Sequence, residues 1–395
     1  MEKIKLQKST SYFTKLISVS VGHFLNDFYM NLVPPILFLF VYSLNLTLSQ
    51  QAFIAFVITS SGSFAQPVIG YFVDKRGKPY LLIFSLIWIS FWMSVSGIVT
   101  NYYLLVAVVG LGALASALFH PLGSAVAVKL ANKSRGTSLS VFMTIGGFAA
   151  SVSPMVAIPA VKEYGLNVLV FFMIPGIVAA LGMYFSQIHK VEINSHEQSD
   201  NVEVHDKLNI VTAKWISVLV FISSSKVLIR SFLITFGVQI MLLKQVDVKT
   251  AGVVLSVYLL ANSLGTILGG LLNDRIGSKK VLLLFNLAAF LCMGAILFTG
   301  RISMIMGFLL MGLALSGSNT SNIVMAYELL PKNLNVATGL IMGLSGGLGG
   351  LAMLLFGKIA DIKGLIAGTS YLMIPLLMTV IITAFLPGEI KKPLA

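Results

Sequence analysis

Long apolar stretches alternate with short polar ones along this chain, and the stretches outrun the core helices of a soluble domain. From Tyr80 to Val128 there is no Asp, Glu, Lys or Arg. About 20 apolar residues cross a bilayer as a helix, so this run is two spans, divided at Thr100-Asn101. The same reading predicts twelve spans: 14–41, 49–73, 79–99, 102–130, 136–161, 167–188, 212–242, 250–273, 280–299, 303–328, 334–360 and 365–387. The only extended polar stretch is 189–210, HKVEINSHEQSDNVEVHDKLNI. It has too few apolar residues to bury a core. It therefore divides the chain into a six-helix bundle at 1–188, a linker at 189–211 and a second six-helix bundle at 212–395. The basic start, Met1 to Ser11, leads into a full-length span with no small-residue cleavage site, so an uncleaved first helix is expected.

The two halves repeat each other. Gly70-Tyr71-Phe72-Val73-Asp74-Lys75-Arg76-Gly77-Lys78 returns 200 residues later as Gly270-Leu271-Leu272-Asn273-Asp274-Arg275-Ile276-Gly277-Ser278. Gly112 matches Gly312, and Gly146-Gly147 matches Gly346-Gly347. Small residues let helix backbones approach closely in lipid. Five glycines within eight residues of span eleven, Gly343 to Gly350, suit tight packing and a helix that slides or bends. Duplicated membrane bundles are the usual build of secondary transporters, with substrate bound between the halves.

Composition agrees with a membrane chain. Hydrophobic residues make up 57% and charged residues 10%, against about 25% charged in a soluble domain. The mean hydropathy is +0.92. A net charge of +13 would suggest nucleic acid in a soluble protein, but here the charge sorts by loop. Of 27 Lys and Arg, six (Lys162, Lys244, Lys249, Arg301, Lys358, Lys363) fall on one side, two (Lys226, Arg230) lie inside a span, and the remaining nineteen fall on the other side. The positive-inside rule then places both termini and the linker in the cytoplasm. Cys292 is alone in an apolar span, which excludes an internal disulfide and reads as an inert core thiol. His189, His196 and His205 in the linker are spaced by seven and nine residues, which fits no compact metal-ligand pattern. No metal and no cofactor are expected.

Ionisable groups at mid-bilayer are costly and are functional candidates by default. His23, Asn26, Asp27, Met30 and Asn31 share one helical face in span one. Lys226 and Arg230 stand one turn apart halfway along span seven, the repeat mate of span one. His120 has similar depth in span four, and its counterpart in span ten is the polar patch Ser318-Asn319-Thr320-Ser321-Asn322. Asp27, His23 and His120 are the candidates for carrying a proton. Asn26, Asn31, Lys226, Arg230, Asn319 and Asn322 are the candidates for binding substrate. Asp27 pairing with a cation, merely to hold the halves together, is the plainer alternative. The positive surplus suits a phosphonate, phosphate or carboxylate, because a guanidinium grips such groups with two hydrogen bonds. At the cytoplasmic ends of spans two and eight, Asp74 and Asp274 can cap the positive N-terminus of a neighbouring helix, near Arg135 and Asn333. With Arg76, Arg275 and Glu328 they make a candidate gate, Glu328 pairing with Arg275.

The G-x-x-x-D-[RK]-x-G-[RK] loop between spans two and three, present twice, resembles the major facilitator superfamily over the whole length; the departures are Pro79 and Ser278, where basic residues are commoner. A narrower resemblance rests on His23-Phe24-Leu25-Asn26-Asp27, Gln66-Pro67 before Gly70, Phe119-His120-Pro121, and Tyr327-Glu328-Leu329-Leu330-Pro331. Together these look like the fosmidomycin-resistance subfamily of drug exporters. The resemblance implies an all-α fold of twelve transmembrane helices in two pseudo-symmetric bundles, with spans one and seven lining a central cavity. It further implies export of small anionic or amphipathic compounds in exchange for protons. The partners expected are a small-molecule substrate, protons and membrane lipid, but no nucleic acid. A monomer in the inner membrane that is not an enzyme is expected, with the proton gradient as its energy source. Gly146-Gly147 and Ser153-Pro154 give only a loose version of the exporters' span-five motif, so an organic-anion uptake symporter or exchanger stays open. An integral membrane enzyme acting on lipid would want its polar residues near headgroups, whereas these lie at mid-depth; a receptor would want a signalling domain in the linker.

Overall fold

The computed structural model describes residues 2–76, 78–130, 135–191, 210–331 and 334–387, with the backbone alone described at 2–12, 65–68, 70–76, 135–141 and 334–335. The linker residues 192–209, with His196 and His205, lie outside the described residues, as do Asn333 and the side chains of Gln66, Pro67, Asp74, Arg76 and Arg135. The helices in chain order are α1 (Glu2–Met30), α2 (Leu37–Leu44), α3 (Leu48–Arg76), α4 (Tyr80–Val95), α5 (Tyr102–Leu130), α6 (Arg135–Tyr164), α7 (Met173–Phe185) and α8 (Ile210–Leu243). They continue as α9 (Val248–Ile276), α10 (Ser278–Phe298), α11 (Arg301–Gly317), α12 (Asn319–Leu329), α13 (Leu334–Thr338), α14 (Ser345–Lys363), α15 (Leu365–Ser370) and α16 (Met373–Ala384). No strand occurs among the described residues.

Eleven stretches among the described residues are long and apolar enough to cross a membrane, and the 29-residue α3 lies where the remaining span is predicted. Large apolar side chains stand outward, including Phe185 at 76% and Ile302 at 79% exposure. A water-soluble monomer rarely carries so much exposed apolar surface; lipid solvates it without penalty. The protein is a multi-pass membrane protein.

By contact the chain forms two compact units, residues 1–44 with 64–200 and residues 45–63 with 201–395. In the first unit α1 packs on α5 and α6, and α4 on α5 and α7. Span one is not the single helix expected from its apolar run. α1 stops at Met30, a 3-10 turn at Pro34–Ile36 follows, and α2 resumes the crossing. Pro34 and Pro35 lack the amide hydrogens that a continuing helix needs. Asn31 Nδ2 donates to the Asp27 carbonyl at 2.8 Å and closes the last turn of α1.

In the second unit α8 packs on α14, α9 on α11, and α10 on α11 and α16. Span ten is also broken, between Gly317 and Asn319, so the polar patch begins at a helix junction. The span-eleven glycines act as packing positions: a Cβ at Gly350 would press on Ser60 and Phe56, and one at Gly357 on Ala52 and Ser49. The first half of α3 thus lies antiparallel along α14. Ahead of these glycines, Gly339–Leu344 is a π-helix. Where α9 turns into α10, Gly277 has φ 83° and its amide donates to Asn273 O at 3.0 Å. A side chain there would be strained, which accounts for the glycine that follows the second Asp-Arg pair.

Asp361, at the end of α14, accepts from the Leu48 amide at 2.8 Å and the Ser49 amide at 3.1 Å. A carboxylate satisfies the orphan donors and the positive end of α3 together. Asp361→Ala is expected to lower stability by about 1 kcal/mol, read as an earlier thermal transition in detergent. Asp361→Asn keeps acceptor oxygen and should recover part of the loss.

Candidate functional site

Three helices of the first unit bring one polar cluster together. α1 presents His23, Asn26 and Asp27 on a single face. α5 presents Ser116 and His120, one turn apart. α6 presents the Phe142 carbonyl and Gly146, also one turn apart. His23 Nε2 lies 3.4 Å from Asp27 Oδ2, and His120 Nε2 lies 3.3 Å from Asp27 Oδ1. Asn26 Nδ2 donates to Asp27 Oδ1 at 3.0 Å and to Ser116 Oγ at 3.0 Å, and stands 3.5 Å from His120 Nε2.

The hydrogen bonds fix the tautomer of His23. Its Nδ1 lies 2.7 Å from the Phe142 carbonyl, which can only accept, so Nδ1 carries the hydrogen. A neutral His23 then turns the Nε2 lone pair toward Asp27. The His23 ring is held by stacking on Phe142, centroids 4.0 Å apart, and it meets the His120 ring edge-on at 5.1 Å. His23 is 1% exposed, Asp27 20% and His120 30%. The cluster therefore opens on the Asp27–His120 side and is sealed behind His23. Its ligand atoms lie within 4.8 Å of one another, and the three residues are the only group of metal-binding size among the described residues.

Gly146 permits this arrangement. A Cβ there would overlap Asp27 Oδ2 and the His23 ring, lying 2.7 Å from His23 Nε2. The sequence marks Gly146 only as a packing glycine of the repeat. Ser116 is missed altogether, although its i, i+4 spacing to His120 could have exposed it. Pro121 sits inside α5 without ending it.

In the second unit α8 carries both intramembrane cations, with different settings. Lys226 is 6% exposed, and its Nζ has no hydrogen-bond partner among the described residues. Arg230, one turn on, is exposed. Asn322 is buried and donates to Leu219 O at 3.0 Å and to Ser223 Oγ, tying α12 to α8. Asn319 is exposed at the start of α12. Buried polar atoms without partners among the described residues recur in this unit, Tyr258 Oη, Asn262 Nδ2, Ser321 Oγ and Asn322 Oδ1 among them. Asp274, Arg275 and Glu328 are all exposed. The expected Glu328–Arg275 ion pair is not formed: the contacts of ion-pair length among the described residues are those of Asp27 with the His23 and His120 imidazoles. Each partner stands in solvent-accessible surroundings, where a pair gains little.

Known proteins match over nearly the whole chain. The family model described as Major Facilitator Superfamily matches residues 19–243 and 240–394. The fosmidomycin resistance protein of Escherichia coli K12 is 27% identical over 369 residues, covering 90% of this chain and 88% of that protein. The uncharacterized MFS-type transporter YfnC of Bacillus subtilis 168 is 27% identical over 374 residues, covering 92% and 90%. Among solved structures, a mutant form of the nucleoside transporter NupG superposes with a TM-score of 0.80 at 13% identity, covering 94% of this chain and 99% of that one. A bacterial homologue of the human lysosomal transporter Spinster gives 0.71 at 13% identity, covering 95% of each. With an all-α fold of apolar spans, a repeated Asp-basic-x-Gly loop and a family model matched from residue 19 to residue 394, the chain belongs to the Major Facilitator Superfamily of transporters.

Proposed function

We propose that the protein is a proton-coupled exporter of small anionic or amphipathic compounds, phosphonate antibiotics among them, working by alternating access in the inner membrane with both termini cytoplasmic. The observation that carries the coupling is the carboxylate of Asp27 set between two imidazoles inside a membrane span. A carboxylate at such depth is costly unless it alternates between a proton and a partner. The opening on the Asp27–His120 side gives the proton a route in and out. The resemblance to the fosmidomycin resistance protein, 27% identical over 90% of this chain, supports export and an anionic cargo.

Lys226 and Arg230 are the proposed contacts for the cargo's anionic group. A cation inside a membrane span seeks a counter-charge, and Arg230 cannot shed its proton to avoid the need. Arg230→Gln is expected to weaken binding of a phosphonate or carboxylate by about tenfold or more, the loss of one charged hydrogen-bonded contact. A neutral analogue should change little. Arg230→Lys should restore little, because the two-pronged geometry is gone. Equal losses for charged and neutral compounds would make Arg230 structural.

Purified protein in liposomes tests the whole reading. An outward-directed (acid-inside) proton gradient across liposomes carrying the protein inside-out should drive fosmidomycin accumulation, and collapsing the gradient should stop it. Flux indifferent to the gradient would instead favour an exchanger.

A further inference from the structure

We propose that His23, Asp27 and His120, with Asn26, form a binding site for a divalent transition-metal ion of the Zn2+ class. The inference rests on ligand geometry and is separate from proton-driven export. Zinc bonds to imidazole nitrogen and carboxylate oxygen are about 2.0–2.2 Å long, which sets neighbouring ligand atoms of a tetrahedron roughly 3.3 Å apart. The separations here are 3.4 Å from His23 Nε2 to Asp27 Oδ2 and 3.3 Å from His120 Nε2 to Asp27 Oδ1, so each imidazole faces its own oxygen of the one carboxylate. These are too long for good hydrogen bonds of a charged pair, and they fit two atoms sharing an ion.

Three further features point the same way. His23 is 1% exposed and its Nε2, aimed into the cluster, has no hydrogen-bond partner among the described residues. Its other nitrogen is anchored on the Phe142 carbonyl at 2.7 Å, the outer-shell contact that orients a metal-binding histidine. Asn26 Oδ1 is also buried and without a partner among the described residues. A half-turn of that amide would put Oδ1 where Nδ2 now stands, 3.0 Å from Asp27 Oδ1 and 3.5 Å from His120 Nε2. That oxygen supplies a fourth ligand, while Ser116 reverses its hydrogen bond. Two imidazoles, a carboxylate and an amide oxygen suit Zn2+, Co2+ or Cu2+ better than Mg2+ or Ca2+, which prefer all-oxygen shells. The ion enters from the Asp27–His120 side, where the cluster is partly exposed.

The chain has five histidines, so replacing the linker residues (His189→Gln, His196→Ala, His205→Ala) leaves only His23 and His120. Equilibrium dialysis of this purified full-length protein against Zn2+, in detergent and with no gradient, should retain one ion per chain. Asp27→Asn and His120→Ala should each weaken retention by at least the roughly ten- to hundredfold that loss of an outer-shell partner costs. Pulsed electron paramagnetic resonance of bound Cu2+ in the parent should count two coordinated imidazoles, a reading that needs no folded variant. No retained ion, affinity unchanged by both substitutions, or fewer than two imidazoles on Cu2+ would overturn the site.

Discussion

Asp27→Asn is expected to reduce transport driven by a pH gradient to the rate of protein-free liposomes, while gradient-free counterflow of labelled cargo continues. The substitution separates charge from shape. An asparagine fills the same volume between His23 and His120, and its amide can donate to an imidazole lone pair. What it cannot do is take up and release a proton. The cluster would stay assembled and lose only its coupling. The neighbours support this division: Asn31 bonds the Asp27 backbone carbonyl rather than its carboxylate, and Asn26 can keep its bond to Ser116. Gradient-driven flux at the wild-type rate in Asp27→Asn would sink the coupling reading. Loss of counterflow as well would mean that the carboxylate also positions cargo.

The membrane spans were legible because lipid imposes one demand, about 20 uncharged residues per crossing, and stretches such as Tyr80–Val128 meet it visibly. Interruptions within spans were harder to read. Pro34-Pro35 stands in plain view, yet the apolar run continues through it, and hydropathy does not register a missing amide hydrogen. The junction at Ser318 has no proline to announce it. At the candidate site, local spacing worked where the partners share a helix: His23, Asn26 and Asp27 fall on one face by arithmetic alone. His120 could be matched to them only by depth, and the structure brings its imidazole to the same carboxylate. The same arithmetic paired Lys226 with Arg230, yet one is buried and the other exposed, because burial depends on neighbours that spacing does not name. The Asp361 cap on α3 joins residues 313 positions apart, and no local pattern marks it.

At Gly146 a second large loss is expected from shape alone. Gly146→Val adds three carbon atoms where even a Cβ would overlap Asp27 Oδ2 and the His23 ring. His23 cannot retreat easily, being stacked on Phe142 and bonded to its carbonyl. The strain therefore falls on the His23–Asp27 contact or on the packing of α6 against α1. Overpacking of this kind costs about 1–3 kcal/mol. If the cost is borne by the assembled cluster, a factor of ten for each 1.4 kcal/mol implies transport reduced by about fivefold to somewhat over a hundredfold. Gly182→Ala in α7 is the control, since a Cβ there meets nothing within 4 Å and alanine favours the helix. It should transport and melt like the parent or slightly better. Gly146→Val should also lose Zn2+ retention, because the ligands are pushed apart with no ligand removed. A folded Gly146→Val protein with undiminished flux would show that α6 yields freely at this point, and that the close approach of glycine to the Asp27 cluster has no part in transport.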